Sequence, residues 1–113
     1  MEKLLKTGKV KAIGVSNFCK TDMERLMRNT SIIPAVHQME CHPWLQQHEF
    51  TSWHRTQGIH VTQYSPLGNQ NTIYSGKGGA RKLIEESVLE QIAAQYNKTA
   101  AQVTLGKIQL RLT

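Results

Sequence analysis

Cysteine and proline are scarce in this chain, and long apolar runs are lacking. Only 2 of its 113 residues are Cys and 3 are Pro. Two cysteines are too few for a disulfide-rich secreted scaffold, so a reducing, cytoplasmic environment is expected. Cys19 and Cys41 also lack the spacing of a paired-cysteine metal motif. No run of about 18 apolar residues occurs and no apolar stretch follows the charged N-terminus, so we expect no membrane span, no membrane partner and no secretory signal.

Acidic and aromatic residues are few as well. Asp and Glu total 8 against 14 Lys and Arg, a net charge of +6 with His neutral, and aromatic residues make up 6% of the chain. A nucleic-acid surface combines basic residues on one face with aromatic residues or a reading helix, and neither accompanies the N-terminal lysines. We therefore expect a solvated basic surface with some attraction for small anions and no nucleic-acid partner. A basic nucleic-acid-binding module is the least favoured alternative.

What the chain does contain is an alternation of short β-rich and helical segments. Hydrophobic residues make up 39% of it, which argues against a disordered chain. Strands are predicted over residues 10–18, 34–41 and 59–64. Helices are predicted over residues 1–7 ending at Gly8, from a capping box at 21–24, over 45–57 ending at Gly58, from a second box at 87–90, and from Thr99. This order favours a parallel sheet with right-handed crossovers in a single domain.

Apolar positions and glycines refine this pattern. One face of the second helix is marked by Met23, Leu26 and Met27, and one side of the third by Phe50, Trp53 and His54. Residues 67–82 predict a long loop rich in Gly and Asn, a length that is unusual in a compact domain. Its glycines at 76, 78 and 79 form only a weak phosphate-loop pattern, and a flexible loop is the favoured interpretation.

Polar or aromatic residues follow each predicted strand. They are Ser16-Asn17-Phe18, then Gln38 to His42, then Tyr64-Ser65. Because the C-terminal ends of parallel strands lie on one side of a sheet, these groups should converge in space. That side carries the active site of a (β/α)₈ barrel and the ligand crevice of an open doubly wound sheet. The alternative is that these residues only cap strands and bond to loops.

Several other chemistries lack support in the sequence. No Gly-x-Gly-x-x-Gly follows a strand and no Gly-x-Ser-x-Gly elbow occurs, so neither a Rossmann fingerprint nor a serine hydrolase is indicated. His37, Cys41 and His42 lie close in sequence, but strand alternation places His42 on the opposite face from the other two. We expect His37 and Cys41 to be buried neutral groups and expect no metal site.

The strand segments resemble a known family. Met1, followed after eight residues by Val-Lys-Ala-Ile-Gly-Val-Ser-Asn-Phe at 10–18, looks like the aldo-keto reductase signature around the fifth barrel strand. Residues 34–43 resemble the sixth strand, where Asn is usual at the position of His37, and residues 61–68 resemble the seventh. Residues 99–103 are similar to the opening of a later helix. The resemblance covers residues 1–105 in order, and residues 66–71 resemble fungal members of the family.

The resemblance implies a fold and a cofactor. The fold is α/β, a partial (β/α)₈ TIM barrel with three parallel strands and flanking helices, forming a single partial barrel domain over residues 1–113. The implied cofactor is NADPH. The matched residues hydrogen-bond the nicotinamide carboxamide (Ser16, Asn17, Gln38), stack on the nicotinamide ring (Tyr64) and lie against the pyrophosphate (Ser65, Leu67). An amide head group needs both donors and acceptors, which Ser, Asn and Gln supply. Asn69 stands where the family usually has Ser.

The resemblance also implies a function. We expect a fragment of an NADPH-dependent aldo-keto reductase, which reduces small-molecule aldehydes or ketones to alcohols by hydride transfer. The family's proton-donating Tyr lies on earlier strands, so no catalytic residue is named and the chain is predicted to be inactive alone. A non-catalytic cofactor-binding or regulatory protein on the same scaffold is the alternative. Residues 106–113 depart from the family pattern and suggest a non-native tail, and open strand edges suggest self-association.

Overall fold

The computed structural model describes residues 1–68 and 82–112, with side chains described as far as residue 107. Its elements in order are α1 (Glu2–Lys6), β1 (Gly14–Ser16), α2 (Lys20–Asn29), β2 (Val36–Glu40), α3 (His48–Thr56), β3 (His60–Tyr64), a 3-10 helix (Leu83–Glu85), α4 (Ser87–Gln95) and α5 (Ala100–Leu112). The predicted order of helices and strands is confirmed, with the 3-10 helix as an addition. Most of the predicted loop, at 69–81, lies outside the described residues, as do its glycines and Asn69.

The three strands form one parallel sheet in the order β1-β2-β3. The register of β1 on β2 pairs Gly14 with Val36, Val15 with His37, and Ser16 with Gln38. On the other side of β2, the His60 N–H donates a hydrogen bond of 3.0 Å to the Ala35 carbonyl. The predicted α/β architecture with three parallel strands is therefore confirmed.

The first strand is shorter than the predicted segment 10–18. Pairing is confined to Gly14–Ser16, and Asn17 then takes a left-handed conformation with φ of +57°. A residue in that conformation turns the chain out of the extended strand. The strand thus ends where the predicted polar segment begins.

Two compact units make up the chain, one from residues 1–39 with 47–64 and the other from residues 40–46 with the chain from 65 onward. The core of the first unit contains the fully buried side chains of Met23, His37 and His54, together with Met39 and Ile59. Strand alternation buries His37 and Met39, whereas Gln38 between them is exposed. One face of β2 is therefore committed to packing, and the other is open.

The second unit is helical. Its buried side chains include Leu83 in the 3-10 helix, Leu89 and Ala93 in α4, and Thr104 in α5. Helices α4 and α5 contact each other, and both contact the 3-10 helix. The Thr104 hydroxyl donates to the Ala100 carbonyl at 2.8 Å, which satisfies this polar group inside the helix.

Helix α2 begins earlier than the predicted capping box at 21–24. Its first residue is Lys20, and the Asp22 carboxylate accepts hydrogen bonds from the Cys19 N–H at 3.4 Å and from the Cys19 thiol at 2.9 Å. These bonds, the thiol first and the amide second, hold the pKa of Asp22 below its usual value. The predicted box was wrong because a carboxylate two residues earlier takes the role of Glu24 at the helix start.

Helix α3 also differs from its predicted range of 45–57. His42 and Leu45 exchange backbone hydrogen bonds of 3.1 and 2.8 Å, and Gln47 has φ of +50°. Both features keep the chain out of the helical conformation until His48, where α3 begins.

Of the predicted starts of the last two helices, that of α4 is wrong and that of α5 is confirmed. Ser87 is the first residue of α4 and Glu86 its N-cap, with no side-chain capping bond, so the box predicted there was wrong. At α5 the Thr99 N–H donates to Gln102 Oε1 at 2.9 Å and the Gln102 N–H donates to Thr99 Oγ1 at 3.2 Å. This reciprocal pair confirms the predicted start at Thr99.

Gly14 is required by the close approach of β1 and β2. A Cβ added there would lie 2.5 Å from the Val36 carbonyl oxygen. Gly14→Ala should therefore lower the free energy of unfolding by on the order of 2 kcal/mol, because the strands must separate or strain. The measurement is urea denaturation followed by circular dichroism.

Gly106→Ala in α5 is the matched control, since a Cβ there meets nothing within 4 Å. It should raise the free energy of unfolding by about 0.5–1 kcal/mol through helix propensity. Equal effects of the two substitutions would contradict the packing argument.

Candidate cofactor-binding site

The site begins at the turn that follows β1. The Asn17 N–H donates to the Gln38 carbonyl at 2.9 Å, which is the last bond between β1 and β2. Tyr64, the last residue of β3, donates its hydroxyl to Asn17 Oδ1 at 2.8 Å. Residues 47 positions apart in sequence are thereby brought into contact. The convergence of polar groups at the C-terminal strand ends is observed for these residues.

Ser16 and Gln38 add two exposed polar side chains beside this turn. They are register partners on adjacent strands, so their side chains share one face of the sheet. Both are exposed, and so are accessible to a ligand. A hydroxyl and a primary amide together offer hydrogen-bond donors and acceptors, which is the chemistry that recognises an amide head group.

Ser65 and Leu67 lie in the second unit and form a turn of their own. Ser65 has φ of +50°, and its carbonyl accepts the Gly68 N–H at 2.9 Å. Gly68 itself has φ of +71°, and a Cβ there would lie 3.0 Å from Leu83 Cβ. The assignment of Ser65 and Leu67 to a pyrophosphate site stays a prediction.

A chain of hydrogen bonds runs from the site into the core of the first unit. The Phe18 N–H donates to His37 Nε2 at 3.1 Å. His37 Nδ1 lies 2.7 Å from His54 Nε2, and His54 Nδ1 lies 2.6 Å from the Phe50 carbonyl oxygen. A backbone N–H only donates and a carbonyl only accepts, so both rings carry their proton on Nδ1 and accept at Nε2. One tautomer of each ring satisfies every bond.

Both imidazoles are held in the neutral form. Burial lowers the pKa of His37, and the neighbouring His54 lowers it further. Burial also lowers the pKa of His54, opposed by its hydrogen bond to the Phe50 carbonyl. Aromatic rings surround the pair, with the Phe50 centroid 5.6 Å from that of His37 and the Trp53 centroid 5.1 Å from that of His54.

His54 is the part of this arrangement that sequence analysis missed. Burial of His37 and Cys41 was predicted and is confirmed. The position of His54 beside Phe50 and Trp53 was recognised, but its bond to His37 was not. The available signal was a pair of histidines on the packing faces of adjacent predicted elements.

Two further observations concern metal ligands and helix length in the described residues. Within residues 1–68 and 82–112, no three His, Cys, Asp or Glu side chains are grouped to hold a metal ion. No helix in the same ranges has the length and apolar character needed to cross a bilayer.

Comparison with protein-family models identifies the family of this chain. The model of the Aldo/keto reductase family matches residues 1–106. The chain belongs to the aldo/keto reductase family.

Relatives of this aldo/keto reductase chain include fungal proteins. An uncharacterised oxidoreductase of Schizosaccharomyces pombe is 51% identical over 106 residues, covering 94% of this chain and 32% of that protein. The NAD(P)H-dependent D-xylose reductase of Candida tenuis is 41% identical over 108 residues, covering 93% of this chain and 34% of that protein. The chain thus spans about a third of the length of the curated relatives it matches.

Solved structures share the fold. A crystal structure of an aldo-keto reductase complexed with NADPH matches with a TM-score of 0.82 and 34% identity, covering 97% of this chain and 34% of that one. A second, an aldo/keto reductase from Brucella melitensis, matches with a TM-score of 0.75 and 38% identity, covering 92% of this chain and 35% of that one.

The neutral histidine pair should make the first unit sensitive to acid. Because the folded-state pKa values of His37 and His54 lie below the unfolded value of 6.5, the unfolded state binds protons first as pH falls. The free energy of unfolding should therefore decline from about pH 6.5 downward until the folded-state pKa values are reached, and should not change on this account above about pH 7.5. Urea denaturation across this range measures it.

Histidine variants provide the controls for this pH dependence. The double substitution His37→Gln, His54→Gln should flatten the acid limb, because no buried imidazole remains to be protonated. His60→Gln, at an exposed position on β3, should retain it. An acid limb of equal slope in the double variant and the wild type would contradict the assignment.

The bond between Tyr64 and Asn17 should contribute measurably to stability. Tyr64→Phe removes the hydroxyl donor and should lower the free energy of unfolding by about 0.5–1.5 kcal/mol, the usual value of one hydrogen bond. Tyr96→Phe is the matched control, because Tyr96 is 70% exposed at the end of α4. If the two variants unfold at the same urea concentration, the Tyr64 hydrogen bond contributes nothing to the free energy of unfolding, which contradicts this prediction.

Proposed function

We propose that this chain forms the nicotinamide-binding part of an NAD(P)H-dependent reductase acting on small-molecule aldehydes or ketones. The observation that carries the proposal is the bond from the Tyr64 hydroxyl to Asn17 Oδ1, which places an aromatic ring beside an amide at the ends of two strands. Exposed Ser16 and Gln38 lie next to it. A flat ring with polar groups at one edge is the surface that a nicotinamide carboxamide requires.

The hydrogen-bond inventory fits that head group. Asn17 Oδ1 already accepts from Tyr64, so the Nδ2 group of Asn17 is the part of this amide left to donate to a ligand carbonyl. The Gln38 amide and the Ser16 hydroxyl each donate and accept, which suits the carboxamide NH₂ as well as its oxygen. When bound, NADPH supplies the hydride, and the protein's task is to orient the ring. The NADPH complex among the structural neighbours supports this choice of cofactor.

The reaction is proposed by analogy with relatives. Those with assigned activities include D-xylose reductases, which supports a carbonyl substrate for the whole enzyme. The resemblance assigns the proton-donating Tyr to earlier barrel strands, so we propose that this chain binds cofactor without turning over substrate. Ser65 and Leu67 are proposed to approach the pyrophosphate. Strands β1 and β3 are both at the edges of the described sheet, which supports self-association through strand pairing.

Cofactor binding is tested by titrating the 113-residue chain with NADPH and following its fluorescence. Gln38→Leu and Tyr64→Ala should each weaken binding by about five- to tenfold, the equivalent of one lost hydrogen bond or ring contact. Gln91→Leu, an exposed position on α4, is the matched control and should bind as the wild type does.

Two outcomes would count against the proposal. Failure of the wild-type chain to bind NADPH, or equal affinity of all variants, would remove the cofactor site. Sustained aldehyde-dependent oxidation of NADPH by the purified chain would contradict the proposed lack of turnover while leaving the binding site intact.

A further inference from the structure

Two fully buried histidines are connected to the segment that carries Asn17. Asn17 uses its own N–H for the last bond to β2 and then turns into the left-handed region with φ of +57°. Directly after that turn, the Phe18 N–H donates to His37 Nε2 at 3.1 Å. His37 thus holds the residue that directly follows Asn17.

Asn17 is in this way restrained at three points. The Gln38 carbonyl accepts its N–H, the Tyr64 hydroxyl donates to its side-chain oxygen, and His37 holds the next amide. A left-handed conformation costs most residues other than glycine about 1–2 kcal/mol and Asn less, so at Asn17 the three hydrogen bonds serve to fix one conformation among those open to it. Loss of the Phe18 bond releases one of the three restraints, and with it the direction of the Asn17 amide.

His54 determines which tautomer of His37 is present, and so whether His37 Nε2 can accept the Phe18 N–H. The Nε2 of His54 accepts a hydrogen bond from the His37 Nδ1–H at 2.7 Å, and the Nδ1–H of His54 donates to the Phe50 carbonyl at 2.6 Å. The His37 ring is therefore left with a bare Nε2 facing Phe18. A proton on that nitrogen would face another donor, so only the neutral ring can hold the Phe18 amide.

Among the described residues, no anion contributes to the pKa shifts of the pair, so no counter-charge favours protonation. From α3 it meets the rings of Phe50 and Trp53 and the Phe50 carbonyl. From the end of β1 it meets the Phe18 amide. From α2 comes a cation, Lys20, whose Nζ lies 5.8 Å from the Trp53 ring centroid. The lowered pKa of each imidazole agrees with this environment.

We propose that His37 and His54 are positioning residues, which orient Asn17 toward the nicotinamide head group through the backbone amide of Phe18. The inference rests on the proposed cofactor site. Neither imidazole contacts the ligand-facing side, since both side chains are fully buried. Their effect on binding is transmitted by the conformation of one turn.

The decisive variants differ in a single acceptor. His37→Phe keeps a ring and removes the nitrogen that accepts from Phe18, whereas the Oε1 of His37→Gln reaches the same place and restores an acceptor. In the cofactor-free, ¹⁵N-labelled chain, His37→Phe should speed hydrogen exchange of the Phe18 amide by about tenfold or more and shift the Asn17 side-chain amide resonances. His37→Gln should return both toward the wild type. Met39→Leu, buried on the same strand, controls for general loosening of the core and should leave them unchanged.

The same variants are then titrated with NADPH. His37→Phe should weaken binding by about five- to twentyfold, and His37→Gln should recover to within about twofold of wild type. The wild-type affinity should fall as pH drops through the lowered folded-state pKa of His37, which lies below 6.5, and that of His37→Gln should fall less, because of the two fully buried imidazoles only His54 is then left to protonate.

These measurements separate the inference from the proposed function. Unchanged Phe18 exchange in His37→Phe, or ¹⁵N shifts placing the wild-type His37 proton on Nε2, would overturn the positioning role, and the second measurement needs no variant to fold. A positioned turn in a chain that does not bind NADPH would overturn the proposed function and with it the role of the pair in cofactor recognition. Weakened NADPH binding by both His37→Phe and His37→Gln would also overturn the role of the acceptor.

Discussion

The candidate site depends on one left-handed residue, Asn17, and on the hydrogen bonds that keep it there. Its N–H closes the pairing of β1 with β2, its side chain receives the Tyr64 hydroxyl, and the amide after it is held by His37. Two of these bonds come from β2, one from its backbone and one from the buried side chain of His37, and the third comes from the end of β3. Because these three bonds fix the conformation of the turn, the polar groups at the strand ends are positioned by the packing of β2 and β3 against it.

Because side chains alternate along a strand, the two faces of β2 have different roles. His37 and Met39 are buried and belong to the core, whereas Gln38 lies on the open face beside Ser16. The same five-residue strand therefore supplies both a candidate ligand contact and the internal support of the turn next to it. A parallel sheet makes this possible because its strand ends lie on one side, where groups distant in sequence meet.

Prediction from sequence worked best where a rule acts over a short distance. The order of elements, the parallel sheet, the burial of His37 and the start of α5 all followed from periodicity or from reciprocal capping, and residues 10–18 already resembled the family signature. Helix starts failed where neighbouring side chains competed for the same backbone groups, as when Asp22 rather than Glu24 capped α2. Alternative helix starts one or two residues apart differ little in free energy, so residue type alone does not decide between them.

The amino-acid sequence by itself determined the family, the alternation of strands and helices, and the identity of the polar residues at the strand ends. Only the tertiary structure decided that Tyr64 bonds Asn17, that His54 is the partner of His37, and that both rings carry their proton on Nδ1. The physical reason is the range of the interactions. Propensity, periodicity and capping join residues a few positions apart, whereas these bonds join side chains 17 to 47 positions apart, and they exist only once the strands and α3 have packed.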